Sequence, residues 1–273
     1  MNKGTLYLVP TPIGNLKDIT KRSKEVFNLV DYVACEDTRN TSKLLNLLGI
    51  KKFTYSCHEH IENKASEKII ADLLEGKNVA YCSDAGLPCI SDPGTLLVKH
   101  AIENNISVVP LPGSNAALTA LIASGLDTSN FYFYGFLDSK ISKKEAELEG
   151  LLNISSTIIF YESPHRILET LESLLKILGN RKVCVARELT KIHEEFLRFE
   201  LKDYLTYKDR FIGEMVIIVE GNKEKEDKLT DEEINKKVDE LIAQGLSLKD
   251  SITAVSIFYK INKNYIKKLK MKN

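Results

Sequence analysis

Residues 79–94 read VAYCSDAGLPCISDPG. Val79–Cys82 is a short apolar run with the length of a buried strand. Ser83–Gly94 follows it with two glycines and two prolines among small polar residues, the composition of a turn. Beyond the turn, Thr95–Glu103 has helical spacing and Ser107–Pro110 is again strand-like. Strand, turn, helix and strand in that order imply a crossover between parallel strands.

The same alternation runs upstream. Leu6–Val9 is an apolar β run closed by Pro10, Pro12, Gly14 and Asn15. Ile19–Val30 has helical spacing, Tyr32–Cys35 is a strand, and Thr41–Leu48 is a helix with Thr41 as its cap and Gly49 as its stop. Phe53–Ser56 is a further strand and Ala65–Leu74 a further helix, ended near Gly76. Helices of this length between strands predict a mostly parallel, right-handed α/β sheet. Ligands of such sheets sit beyond the carboxyl ends of the strands. Function is therefore sought at the turns after Val9, Cys35, Cys82 and Pro110.

Downstream, Ala116–Ser124 and Arg166–Leu178 are helical, while Phe131–Phe136, Thr157–Tyr161, Val183–Ala186 and Met215–Val219 are strand-like. Phe196–Phe199 is positioned to pair as a hairpin with Met215–Val219, so this half is expected to be a mixed sheet. Asn222–Lys228 holds no apolar residue and reads as a linker. Two capping boxes then follow, Thr230 with Glu233 and Ser247 with Asp250. They open helices over Asp231–Ala243 and Leu248–Tyr259, and a short third helix begins at Asn262. The expected organisation is an α/β lobe over 1–112, a second over 113–222 and a small helical module over 229–273.

The 273 residues suit two domains, or one with a sizeable appendage. Lys plus Arg and Asp plus Glu each total 38, so a nucleic-acid partner has to be held by a local basic patch. Leu6–Val9 is too short for a signal-peptide core or a membrane span, and a cytoplasmic protein is expected. Cys35, Cys57, Cys82, Cys89 and Cys184 form no CxxC pair and are odd in number. Reduced thiols are the simplest account, with Cys82 a small buried hydrophobe.

Neither GxGxxG after the first strand nor GxxxxGK[ST] is present. The strands are followed instead by PTPIGN, CEDTRNT, SDAGLPCISDPG and PLPGSNA. Such turns bring backbone N–H and C=O groups close to a ligand, which suits a neutral, hydrogen-bonding nucleoside better than a bare phosphate. The order of motifs closely resembles the tetrapyrrole methylase superfamily, and within it the branch that methylates small-subunit ribosomal RNA. The matching stretches are VPTPIGNLKDIT (9–20), CEDTRNT (35–41), HEH (58–60), SDAGLPCISDPG (83–94), VPLPGSNAALTAL (109–121), FYESPHR (160–166), ARELTK (186–191) and GEMVIIVEG (213–221). The chain departs from the family pattern at Leu87, Cys89 and Ser114–Asn115; Leu87, lacking a hydroxyl, is given no polar contact.

The resemblance implies a two-lobed α/β fold, S-adenosylmethionine bound between the lobes, a homodimer, and methylation of the ribose 2′-oxygen of a cytidine in the decoding centre. The partner would be 16S ribosomal RNA or the 30S subunit. It places the cofactor against Pro10, Ser83, Asp84, Ala85, Gly86, Pro88, Ile90, Ser91, Ser114, Tyr161, Glu162 and Met215; plain core packing is the other reading of Ile90 and Met215. A base for the hydroxyl proton is sought among Glu36, His58 and His60, and the residues do not choose between them. His58, Glu59 and His60 alternate faces on an extended segment, so no metal is expected. Arg187 and Glu188 either shape the cleft or form an internal ion pair. For RNA the candidates are Arg39, the loop cluster Lys140, Lys143 and Lys144, and the terminal Lys260, Lys263, Lys267 and Lys268. The same scaffold also admits a methylase of a tetrapyrrole or other small substrate, or a non-catalytic ribosome-assembly factor.

Overall fold

The computed structural model describes residues 2–58, 61–223, 229–259 and 261–272. The strands of the first sheet are β1 (Thr5–Leu8), β2 (Tyr32–Cys35), β3 (Thr54–Ser56), β4 (Val79–Cys82) and β5 (Ser107–Pro110). They are ordered β3-β2-β4-β1-β5 and every pair is parallel. Side chains of a strand alternate between faces, and in β4 both faces are covered. Val79 and Tyr81 join one apolar cluster with Leu6, Ile69 and Leu97. Ala80 and Cys82 join the opposite one with Phe27, Val33 and Leu45. A run apolar at every position is what a doubly covered parallel strand requires.

The crossover helices are α1 (Lys21–Leu29), α2 (Thr38–Leu47), α3 (Glu62–Leu74) and α4 (Thr95–Glu103). Thr41 does not cap α2. The helix starts earlier, where the extended Asp37 accepts the Arg39 amide, and an aspartate placed there satisfies an orphan N–H. Thr41 is buried inside the helix, its hydroxyl 3.8 Å from Cys82 Sγ.

The second sheet contains β6 (Phe131–Phe136), β7 (Thr157–Glu162), β8 (Lys182–Arg187), β9 (Glu195–Glu200) and β10 (Met215–Val219), ordered β6-β7-β10-β8-β9. It is mixed, with β6 and β7 parallel and the other pairs antiparallel. One expectation changes. Phe196–Phe199 lies in β9 and pairs with β8, not with Met215–Val219. All five residues of β10 are buried and it takes the centre, whereas β9 exposes Arg198 and suits the edge. Helices α5 (Ala116–Ser124), α6 (Ile141–Glu149) and α7 (Ile167–Leu178) and a 3₁₀ run over Leu201–Arg210 complete this half. The charged α6 and the 3₁₀ run were not expected.

Lys144 is corrected from a candidate RNA contact to a core residue. It occupies the inward face of α6 with Leu148 and its side chain is 0% exposed. Its ammonium donates to Glu169 Oε1 (2.6 Å) and Thr170 Oγ1 (3.0 Å), and Thr170 donates onward to Glu162 Oε2 (2.6 Å). Lys144→Ala is expected to cost about 2–4 kcal/mol, since it leaves a void and a buried network without its cation. Urea denaturation measures this; a loss below about 0.5 kcal/mol, the size of an ordinary surface substitution, would rule it out.

The five cysteines are free. Burial pushes the Cys35 and Cys184 thiols up to about 11 and Cys57 to about 12, so they behave as small apolar groups. No helix of the described residues is long and apolar enough to cross a membrane.

Both sheets belong to one compact unit, which ends at Asn222; a second begins at Lys223. Most of the expected linker lies outside the described residues. The second unit holds α8 (Asp231–Ala243), α9 (Leu248–Phe258) and α10 (Lys263–Lys272) around Ile234, Val238, Ile252, Val255 and Ile266. Thr230 and Glu233 form a reciprocal capping box, and Ser247 accepts the Asp250 amide.

Candidate active site

Within the first unit a cavity of about 360 Å³ opens beyond the carboxyl end of β4. Its wall from the first sheet is Ile13, Ala85, Gly86, Leu87, Ile90, Ser91 and Asp92. The opposite wall is Asn115, Ala116, Phe136, Tyr161, Glu162, Ser163, Pro164, Leu189, Glu214, Met215 and Val216.

The turn after β4 is held in place by its neighbours. Thr11 and Gly86 exchange backbone hydrogen bonds of 2.9 and 3.1 Å, tying the turn after β1 to the one after β4. Gly86 has φ +82°, open to glycine at little cost. Further along, Cys89 (φ 68°) and Ser91 (φ 60°) are left-handed without being glycine. Ser91 Oγ fits against Gly135, where a Cβ would come within 3.0 Å of it. Gly135 sits at the register shift between β6 and β7.

Of the expected cofactor residues, Ala85, Gly86, Ile90, Ser91, Tyr161, Glu162 and Met215 line the cavity, and Pro10, Ser83, Asp84, Pro88 and Ser114 do not. Pro10 is buried against Gly113. Ser83 is buried, and its carbonyl accepts from the Thr11 hydroxyl. Asp84 is exposed and accepts from the Asp37 amide (3.3 Å) and Asn40 Nδ2 (2.7 Å). Pro88 is buried, and the Ser114 carbonyl lies beside Gly86. Glu162 faces inward with both oxygens engaged. Oε1 accepts the Ser163 amide (2.8 Å) and is 3.4 Å from Arg166 Nε, while Oε2 accepts from Thr170.

Among the expected bases, Glu36 and His58 do not line the cavity, and His60 lies outside the described residues. Burial, then the carboxylates of Asp92 and Asp84, push the Glu36 carboxyl above its ordinary value. Arg39 is tied to its neighbour Asp37 (2.6 Å), and that guanidinium holds Asp37 down at about 2. Arg187 pairs with Glu195 and Glu188 with Lys191, so both belong to internal ion pairs. Lys140 is exposed at the start of α6, and Lys143 lies 3.5 Å from Asp138. In the second unit Lys263, Lys267 and Lys268 are exposed on α10; Lys260 lies outside the described residues. Among the described residues no three His, Cys, Asp or Glu are grouped to hold a metal ion.

Sequence reading missed Asp92, Leu87, Phe136 and the Leu189 and Glu214 walls. Asp92 lies inside the Ser83–Gly94 turn, and Leu87 needs no hydroxyl to form an apolar wall. Phe136 ends an aromatic strand, a signal that core packing explains equally well.

The family described as Tetrapyrrole (Corrin/Porphyrin) Methylases matches residues 5–204. Ribosomal RNA small subunit methyltransferase I of Halalkalibacterium halodurans is 50% identical over 226 residues, covering 82% of this chain and 78% of that protein. The protein of the same name from Bacillus subtilis is 46% identical over 264 residues, covering 93% and 89%. Among solved structures, uroporphyrin-III C-methyltransferase of Thermus thermophilus, complexed with S-adenyl homocysteine, matches with TM-score 0.58 over 80% of this chain and 97% of its own. At 15% identity that likeness is one of fold.

Proposed function

The chain belongs to the tetrapyrrole methylase family, and from that premise we propose that it methylates the ribose 2′-oxygen of a cytidine in the decoding centre of 16S ribosomal RNA. S-adenosylmethionine is its cofactor, supplying an electrophilic methyl group on a cationic sulfur. The observation that carries the proposal is the cavity at the end of β4, in a chain close to half identical to two small-subunit ribosomal RNA methyltransferases.

The donor set fits such a cofactor. The turn Ala85–Leu87 offers backbone polar groups, and Ile13, Leu87, Leu189, Met215 and Val216 offer apolar surface. Tyr161 and Phe136 present rings 5.4 Å apart. A volume near 360 Å³ is within the usual range for a cofactor pocket. Methyl transfer is an in-line displacement, so positioning and a suitable local field are what the protein has to provide.

The decisive test incubates the protein with labelled cofactor and small subunits, or their RNA, from a strain lacking the gene, then maps the modified nucleotides. Label on a cytidine ribose is expected. Unlabelled RNA would overturn the proposal, and a base-methylated product would remove the ribose assignment.

RNA binding is assigned in part to the exposed face of α10. Changing Lys263, Lys267 and Lys268 together to glutamate is expected to weaken RNA binding about tenfold or more near physiological salt. The slope of log affinity against log salt should fall by roughly one per lost phosphate contact. Affinity for S-adenosylhomocysteine should stay as it was. An unchanged salt slope would make these lysines merely a solvated face. Homodimer formation is part of the same proposal, supported by apolar side chains left open at Ile122 and Ile192; a monomer in sedimentation analysis would remove it.

A further inference from the structure

We propose that Asp92 is the proton acceptor of the methyl transfer, the carboxylate that takes the ribose hydroxyl proton as the oxygen is methylated. The inference rests on the ribose methyltransferase reading above.

Among the described residues three carboxylates line the cavity, and two are already committed. Glu162 has both oxygens engaged by Ser163, Arg166 and Thr170. Glu214 accepts from Lys191 at 3.0 Å, and its side chain is 80% exposed. Asp92 is different. Among the described residues no Lys or Arg is paired with it. The titratable groups that face it are Glu36 from the end of β2, Asp84 from the end of β4, the Cys89 thiol on its own loop and the Tyr161 phenol of β7. The hydroxyl near it is that of Ser83, which donates to the Ala85 carbonyl at 3.4 Å.

Burial, then the nearby Asp84 carboxylate, raise the proton affinity of Asp92; Ser83 opposes them. A carboxylate of raised proton affinity is a better base than an exposed one. The loop carrying it is also strained: Cys89 and Ser91 adopt left-handed backbone, and the Ser91 side chain is fitted against Gly135. Strained backbone persists where the surroundings fix it, and it gathers at catalytic sites. Glu36 and His58, the described alternatives, do not reach the cavity wall.

The step balances as follows. The ribose oxygen forms a bond to the methyl carbon while the carbon–sulfur bond breaks. The electron pair of that bond stays on sulfur, which becomes a neutral thioether, and the hydroxyl proton passes to a carboxylate oxygen of Asp92.

The test is Asp92→Asn, which keeps size and shape. Affinity for S-adenosylhomocysteine, measured by calorimetry, is expected to stay within about threefold, which also reports a folded site. The single-turnover rate on small-subunit RNA should fall about 10²- to 10⁴-fold, the usual worth of a general base. In the wild type the rate should drop in acid as the carboxylate protonates, and in the variant that limb should vanish. Ser83→Ala, which removes the opposing hydroxyl, should move the wild-type limb to higher pH. A variant that keeps more than a tenth of the rate with the acid limb intact overturns the proposal. So does a parallel loss of S-adenosylhomocysteine affinity, which would make Asp92 a cofactor ligand. A wild type that labels no RNA overturns the functional reading itself, a result distinct from an active wild type with an active variant.

Discussion

Replacing Gly94 by alanine is expected to destabilise the first unit by about 3–5 kcal/mol and to abolish cofactor binding. Gly94 is buried and has φ +118°, a conformation that L side chains rarely adopt. A Cβ there overlaps the ring of Tyr81 and comes within 2.8 Å of Cys89 Sγ. Tyr81 has no room to move: it is fully buried in β4 and its hydroxyl donates to the Cys57 carbonyl. The backbone is fixed too, because Glu62 of α3 accepts the amides of Gly94, Leu96 and Leu97 at the start of α4. Backbone strain and overpacking each cost about 1–3 kcal/mol, and here they act together. Gly49→Ala separates the two terms. Gly49 has φ +73° with nothing within 4 Å of a new Cβ, so it should lose only about 1 kcal/mol for the left-handed backbone. Urea denaturation of both variants decides the matter. Equal losses would mean that the Tyr81 contact yields easily and that the turn is looser than it looks.

The same turn shows which features the residues disclose and which they hide. β4 was legible because a strand covered on both faces must be apolar throughout, and VAYC is. The turn's position at a carboxyl end followed from the parallel order, and the ordered motifs gave the family. The cap of α2 was not legible, since Asp37 and Thr41 are equally good capping residues on paper. Only packing turns Thr41 toward Cys82 and leaves Asp37 free to cap. Lys144 was misplaced because a lysine pair beside a loop looks solvated. Its spacing with Leu148 and Leu151, all three buried, was the overlooked sign of an inward face. The partner of β9 depended on which strand takes the centre, a matter of five buried residues in β10 against an edge that exposes Arg198. The candidate base was hidden for a different reason. Whether a carboxylate is available depends on what its oxygens already hold, and the partners of Glu162 lie up to eight residues away on another element.

Changing Ala85 to phenylalanine is expected to weaken S-adenosylhomocysteine binding about a hundredfold, or about 2.7 kcal/mol, while leaving stability almost unchanged. Ala85 lines the cavity yet is itself exposed, so a larger side chain fills ligand space and not core space. The backbone around it is held independently of that side chain by the Thr11–Gly86 pair, so the turn keeps its course. A ring at this position competes with the cofactor for a cavity of about 360 Å³. Surface substitutions away from packed features usually stay within about 0.5 kcal/mol in stability. Loss of binding therefore cannot be ascribed to unfolding if the melting temperature holds. Calorimetry with S-adenosylhomocysteine and a thermal melt of the same sample give both numbers. Wild-type affinity in this variant would move the cofactor out of the cavity, and the case for Asp92 as base would go with it. Lost affinity at an unchanged melting temperature fixes the cofactor beside Asp92, which among the described residues is the cavity carboxylate paired with no Lys or Arg.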